Sequence, residues 1–192
     1  MIIRAAEAGD AEAVAQLIYE AIDDIAFQLT GEETEERATK GLRELFLQPG
    51  NRFSSGQVLV AVHEGAVAGM ILCYYGSEAE ALDAPIKERL RIVRGDAQPI
   101  IDKEADEDEY YIDSIAVFPA YRGLGIAKAL LHAAEEAGIT LGYQRIALNV
   151  EYENERAHRL YRSLGYVQDK DVSINGHAYR HMAKPLTSVK HA

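Results

Sequence analysis

Cysteine occurs once in these 192 residues, as Cys73, and that alone excludes an internal disulfide framework. Long apolar runs are missing too. No stretch approaches the roughly 20 apolar residues that a membrane span needs. The opening MIIRAAEAGD has neither the apolar core nor the cleavage site of a secretory signal. The expectation is a cytoplasmic protein that meets no membrane. Basic charge is in the minority: 20 Lys and Arg against 31 Asp and Glu give a net charge of −11. Such a chain repels nucleic acid and anionic bilayers, and is compatible with cationic small molecules or basic peptides. Internal repeats and metal-ligand spacings are absent as well. His177 and His181 stand four apart, but on an expected strand, where that spacing is too long for a two-histidine clamp. No metal is expected.

What is present is an ordinary globular composition. Hydrophobic residues make up 48% of the chain, enough for a core, and the length suits one domain over 1–184 with a loose tail at 185–192. MIIRAA reads as a strand, and apolar residues from Val14 to Ile25 recur at helical spacing. A second helix is expected over about 33–47, stopped by QPGN. QVLVAVHEGAVAGMILCYYG reads as a hairpin turning at Glu64-Gly65. Residues 77–109 interrupt the pattern as an insertion lobe, helical in part. YYIDSIAV, a helix to about Gly138, YQRIALNV, a short helix capped by Asn154 and a hairpin turning at Asn175-Gly176 complete the chain. The order is β-α-α-β-β, lobe, β-α-β-α-β-β. The β-α-β unit needs a parallel pair and the hairpins need antiparallel ones, so the fold class is α/β with a mixed central sheet.

Two glycines at a helix start raise the functional question. In AVFPAYRGLGIAKALL, Gly123 and Gly125 follow Arg122 between a strand and a helix. A helix start offers unpaired N–H groups and the positive end of the dipole, glycines let an anion come close, and arginine suits phosphate. The pattern reads as a pyrophosphate cradle. Close packing at a strand-helix corner is the plainer alternative. A nucleoside-triphosphate loop needs Gly-Lys-Ser/Thr and fails at Ile126-Ala127; a dinucleotide fingerprint fits poorly at Lys128. Coenzyme A is the third candidate.

RGLGIA (122–127) resembles the Arg/Gln-x-x-Gly-x-Gly/Ala motif of the GNAT superfamily of N-acetyltransferases, with Ala127 where many members carry Gly. DSIAVFPAY resembles that family's fourth strand and following turn. NERAHRLYRSLGY (154–166) is similar to its second motif, and the β-α-α-β-β order before them is also the family's. The 77–109 lobe departs from the core pattern. The resemblance implies acetyl-CoA as cosubstrate and an amine acceptor, small molecule or peptide, that attacks the thioester directly in a ternary complex. It implies that main-chain groups of Ile115 and Val117 hold the pantetheine arm. Backbone N–H groups across Gly123, Leu124, Gly125, Ile126 and Ala127, with Arg122, would hold the pyrophosphate, and Asn154 would add a contact. A homodimer is compatible with the family, though no residue establishes one. An acyl-CoA sensor without catalysis is the alternative function.

For catalysis the resemblance makes Tyr161 the general acid for the CoA thiolate, while its helical neighbours Ala157, Leu160 and Leu164 equally suit a core aromatic. Asp113 is the candidate base that deprotonates the ammonium, against a plain salt-bridge role, with Glu109 and Tyr111 competing. Cys73 reads as a buried small hydrophobe. Acidic residues Asp23, Asp24, Glu32 and Glu33, with Asp106, Glu107, Asp108 and Glu109, fall in segments flanking the expected cleft. They suggest a cationic acceptor, or else merely an acidic exterior.

Overall fold

The alternating apolar strands assemble into one seven-stranded sheet in the computed structural model, which describes residues 1–187. In chain order the strands are β1 (Ile2–Ala5), β2 (Val58–His63), β3 (Ala66–Tyr75), β4 (Tyr110–Val117), β5 (Arg145–Glu151), β6 (Val167–Ile174) and β7 (His177–Pro185). Their order across the sheet is β1-β2-β3-β4-β5-β7-β6. Only β4 and β5 run parallel; the other neighbouring pairs are antiparallel. The mixed sheet and its element order follow the sequence expectation.

Helices cover both faces. One face carries α1 (Ala11–Ile22), α2 (Ile25–Thr30), α3 (Glu35–Leu47) and α4 (Ala79–Arg94), whose inward residues Leu17, Leu42 and Ile86 are fully buried against Val60, Met70 and Leu72. The other face carries α5 (Ile126–Thr140) and α6 (Glu155–Ser163), with Leu130, Leu131 and Tyr161 packed on Ile71, Ile112 and Leu148. Burying each such aliphatic side chain is worth about 1.5–3 kcal/mol. Cys73 lies in this second core, where burial pushes its thiol pKa up and keeps it an inert thiol.

The first helix is shorter than its apolar spacing implies. It ends at Ile22 because Asp23 takes a left-handed φ of +46°, and α2 restarts at Ile25. Periodicity survives the break, since Ile25 still reaches the core side, but the chain turns and carries Asp23 and Asp24 outward. The segment expected as an insertion is α4 plus an extended strap, residues 95–109. Leu82, Ile86 and Leu90 put one face of α4 into the first core, and Arg89 ties it to Thr30 O at 3.0 Å and to Glu44 at 2.9 Å. At the chain's end β7 runs through Pro185, and Leu186 packs against the second core. Of the segment expected as a tail, residues 188–192 lie outside the described residues.

Two irregularities open the sheet. Leu72 faces Ser114 while Cys73 faces Ile112, so Asp113 is the extra residue of a bulge in β4. The parallel pairing of β4 with β5 stops at Ile112↔Leu148, and beyond it the strands part. The β5-side edge of β4 from Asp113 onward is therefore without a strand partner. Where a sheet splays, a ligand can enter.

Candidate active site

The turn after β4 becomes α5 through Gly123 (φ +83°) and Gly125 (φ +76°), the latter being the helix N-cap. A Cβ at either position would meet nothing within 4 Å, so close packing does not explain these glycines. Backbone conformation does, because an L side chain is strained in that region. No side chain caps the helix, and its first backbone bond is Ala129 N–H to Gly125 O. The N–H groups before it are thus presented to solvent at the positive end of the dipole. Arg122 is fixed beside them by donating from Nε to Val117 O at 3.1 Å. Uncapped N–H groups, open space at both glycines and a neighbouring guanidinium are features that suit an anion.

A cavity of about 510 Å³ extends from this turn, lined by Ile115, Val117, Arg122, Gly123, Gly125, Ile126, Ala127, Asn154 and Tyr161 among others. Its charged lining is basic in the main, Arg122, Lys128 and Arg156 against Glu20. Of the residues expected to hold the cofactor only Leu124 is absent from this lining; its side chain is exposed. Asn154 caps α6 by accepting from Ala157 N–H at 3.1 Å.

A second chamber of about 430 Å³ adjoins the first, the two sharing Ala21, Ile115, Asn154, Ala157 and Tyr161. Its charge is opposite. Asp23, Asp24, Glu104, Asp113, Glu151 and Glu153 line it, with Arg52 as the cation. Tyr161 stands at the junction. Its ring packs in the second core 6.1 Å from that of Tyr166, and its hydroxyl has no hydrogen-bond partner among the described residues. Burial pushes its pKa up to about 12, so the phenol stays protonated at neutral pH.

The floor of the acidic chamber is an ion cluster around Arg52, whose side chain is 2% exposed. Arg52 donates to Glu104 Oε1 at 2.8 Å, to Tyr74 Oη at 2.9 Å and, from Nε, to Asp113 Oδ2 at 3.0 Å; Asp83 lies 3.5 Å away. Burial opposes the charge on Arg52, but Asp113 and Glu104 outweigh it and raise its pKa well above the usual value. Burial raises the pKa of Glu104 as well, aided by Asp113 and opposed by Arg52. Asp113 is an ion-pair partner of Arg52, the plainer of the two readings open from sequence, and it also lines the chamber. Tyr111 lines it too, donating to Glu104 Oε2 at 3.2 Å.

The acidic residues of the strap do not gather where the sequence places them. Glu109 is fully buried on the far side, 3.1 Å from His181 Nε2, and Asp106 takes Lys170 Nζ at 2.6 Å. Asp108 lines a separate cavity with Tyr75 and Tyr143, and Glu32 is paired with Arg89. The reason is that the ion network with His181, Lys170 and Arg145 pins this end of the strap under β6 and β7. Asp23 and Asp24 do line the chamber as expected, and Glu104, Asp113, Glu151 and Glu153 supply the rest of its negative charge. Sequence reasoning also passed over Arg52, which sits in a turn-like NRFSSG run, and Asn149 on β5. No local pattern marks either, since each acts through residues far away in the chain.

Splayed strands, a glycine turn at a helix N-terminus and two adjoining chambers of opposite charge that meet at Tyr161 are the features of this face of the sheet. The chain belongs to the acetyltransferase (GNAT) family, whose model matches residues 18–166. It is 32% identical to a solved acetyltransferase, with a TM-score of 0.81 over 97% of this chain and 100% of that one. An N-acetyltransferase from Staphylococcus aureus Mu50 is 28% identical, with a TM-score of 0.82 over 96% and 100% of the two chains. An uncharacterized N-acetyltransferase, YdgE, of Bacillus subtilis is 38% identical over 31% of this chain, a match that spans 38% of YdgE. No helix among the described residues is long and apolar enough to cross a membrane.

Proposed function

We propose that this protein moves the acetyl group of acetyl-CoA to a cationic primary amine by direct attack in a ternary complex. The observation that carries the reading is the pair of oppositely charged chambers meeting at Tyr161. A basic chamber with a glycine cradle suits a pyrophosphate, and an acidic one raises the local concentration of a cation. When bound, acetyl-CoA supplies an activated acyl thioester.

The rest falls to this chain's residues. Arg122 and the backbone N–H groups from Gly123 to Ala127 hold the pyrophosphate. The unpaired edge of β4 at Ile115 and Val117 receives the pantetheine arm as an added strand would be received, and its donors polarise the thioester carbonyl. Asn154 orients the start of α6 beside the arm. Tyr161, a phenol that is protonated at neutral pH, donates its proton to the departing thiolate. The proton lost by the amine goes to a carboxylate of the acidic chamber, which Asp113 and Glu104 both line.

The test is CoA release from acetyl-CoA with a panel of amines: polyamines, aminoglycosides, peptides with basic N-terminal segments, and neutral and anionic amines of matched size. Turnover confined to the cationic members, with KM rising with salt, is expected. Preference for neutral or anionic amines would overturn the cationic acceptor. Tight CoA binding with no turnover on any amine would favour a sensor.

A further inference from the structure

Glu104 stands between two cavities. It lines the acidic chamber beside Tyr111 and Asp113, and it also lines a smaller cavity of about 250 Å³ behind that chamber, between α4 and the strap. Arg52 is the one other residue common to both. Front and rear are thus separated by a guanidinium and a carboxylate that hydrogen-bond each other.

The carboxylate is held by two donors, and Asn149 fixes both the backbone beside it and one of those donors. Arg52 donates to Oε1, Tyr111 donates to Oε2, and Asn149 Nδ2 donates to the Glu104 backbone carbonyl at 3.0 Å and to Tyr111 Oη at 2.9 Å. A carbonyl can only accept, so this bond fixes which end of the Asn149 amide faces the strap. Its Oδ1 is consequently turned away, buried and without a donor, in a side chain that lines the acidic chamber. Buried acceptors are ordinarily satisfied.

Resting on the amine-acetylation reading above, we infer that Glu104 takes a proton from the incoming ammonium and releases it to solvent through the rear cavity. R–NH3⁺ and the Glu104 carboxylate give R–NH2 and the carboxylic acid. The nitrogen lone pair then forms the C–N bond, the C–S bond breaks, and the sulfur receives a proton from Tyr161. The nitrogen gives up a second proton, which restores the phenol, and keeps the third as the amide N–H. One proton leaves overall, the one on Glu104.

The surroundings suit a carboxylate that alternates between forms. Arg52 from the loop before β2, Tyr74 on β3, Asp83 and Lys87 on α4, Tyr111 and Asp113 on β4, Glu151 on β5 and Tyr179 on β7 surround it, and Glu80 of α4 with Asp102, Lys103 and Glu107 of the strap add further charge to the rear cavity. Burial and Asp113 raise its pKa despite Arg52, which makes it a stronger proton acceptor than an ordinary glutamate. Asp113 lines only the front chamber, and its Oδ2 accepts from both Nε and an Nη of Arg52, which orients the guanidinium that holds Glu104. It serves as a positioning residue.

The test has an arm that needs no acceptor. Infrared spectra of ¹³C-glutamate-labelled protein against pH should show one protonated carboxyl persisting above the ordinary glutamate range, absent from Glu104→Gln and moved to lower pH in Asp113→Asn. A spectrum without that band overturns the assignment, and Glu104→Asp substitutes if Glu104→Gln does not fold. In turnover of the best amine of the panel, Glu104→Gln should lower kcat/KM by about 10²–10⁴-fold and abolish its acid limb, with CoA affinity unchanged. A retained limb overturns the proposal. Ala79→Phe, which fills the rear cavity, should lower kcat and raise its solvent isotope effect with the acceptor KM unchanged; an unaltered kcat overturns the rear exit. If no amine is acetylated, the proposed function fails by itself and the infrared arm decides the protonation of Glu104.

Discussion

Glu109 and His181, both fully buried, face each other at 3.1 Å, and the other ring nitrogen of His181 meets Asp169 at 2.6 Å. Strap, β6 and β7 are joined through that one imidazole. Burial opposes its charge, but hydrogen bonds to Glu109 and Asp169 outweigh the penalty and raise its pKa. A raised pKa means that the folded state binds the proton more tightly than the unfolded chain. The stabilisation is therefore complete below the ordinary histidine pKa and is lost as pH rises through the folded value. Urea unfolding from pH 6 to 9 should show stability falling with pH, and His181→Gln should flatten that slope. The substitution also strips Glu109 of its buried partner, which costs about 3–5 kcal/mol.

Arg52→Met should destabilise the protein by a similar amount, roughly 3–5 kcal/mol, because it leaves Asp113 and Glu104 packed against each other without their cation. Chemical denaturation measures it. Loss of less than about 1 kcal/mol would mean that water satisfies the cluster.

Arg122→Ala should weaken CoA binding by about one to two orders of magnitude, since a hydrogen bond to a charged group is worth roughly 1.5–3 kcal/mol. The side chain is about half exposed and its one hydrogen bond is to Val117 O, so the melting temperature should hardly move. Unchanged affinity by titration calorimetry in the folded variant would remove the cradle assignment.

Tyr161→Phe keeps the ring against Tyr166 and removes a hydroxyl that has no partner among the described residues. Folding should survive while turnover falls about 10²–10⁴-fold. Wild-type turnover, with chemistry rate-limiting, would leave the ring a packing role only.

Asp24→Asn with Glu153→Gln neutralises two carboxylates that line the acidic chamber and form no ion pair there among the described residues. The acceptor KM should rise several-fold and lose part of its salt dependence, with the KM for acetyl-CoA unchanged. Asp108→Asn, whose residue lines a different cavity, should leave both constants as they are.

Local sequence determined the elements, because helix and strand periods, caps and turns act between neighbours. The mixed sheet, the two hairpins, the Asn154 cap and the glycine turn after β4 were all legible in this way. So was a pairing of motifs on successive elements, which pointed to the family. Tertiary structure alone decided what long-range contacts control. Arg52 and Asp113 are separated by 61 positions, and Asn149 and Glu104 by 45, so no window of the chain contains either pair. The bulge at Asp113 and the parting of β4 from β5 depend on strands that arrive from elsewhere. The same holds for charge. Sequence counts an acidic strap as one patch, but burial turns Glu109 one way and Glu104 the other, and only the packed fold selects which carboxylates share a chamber.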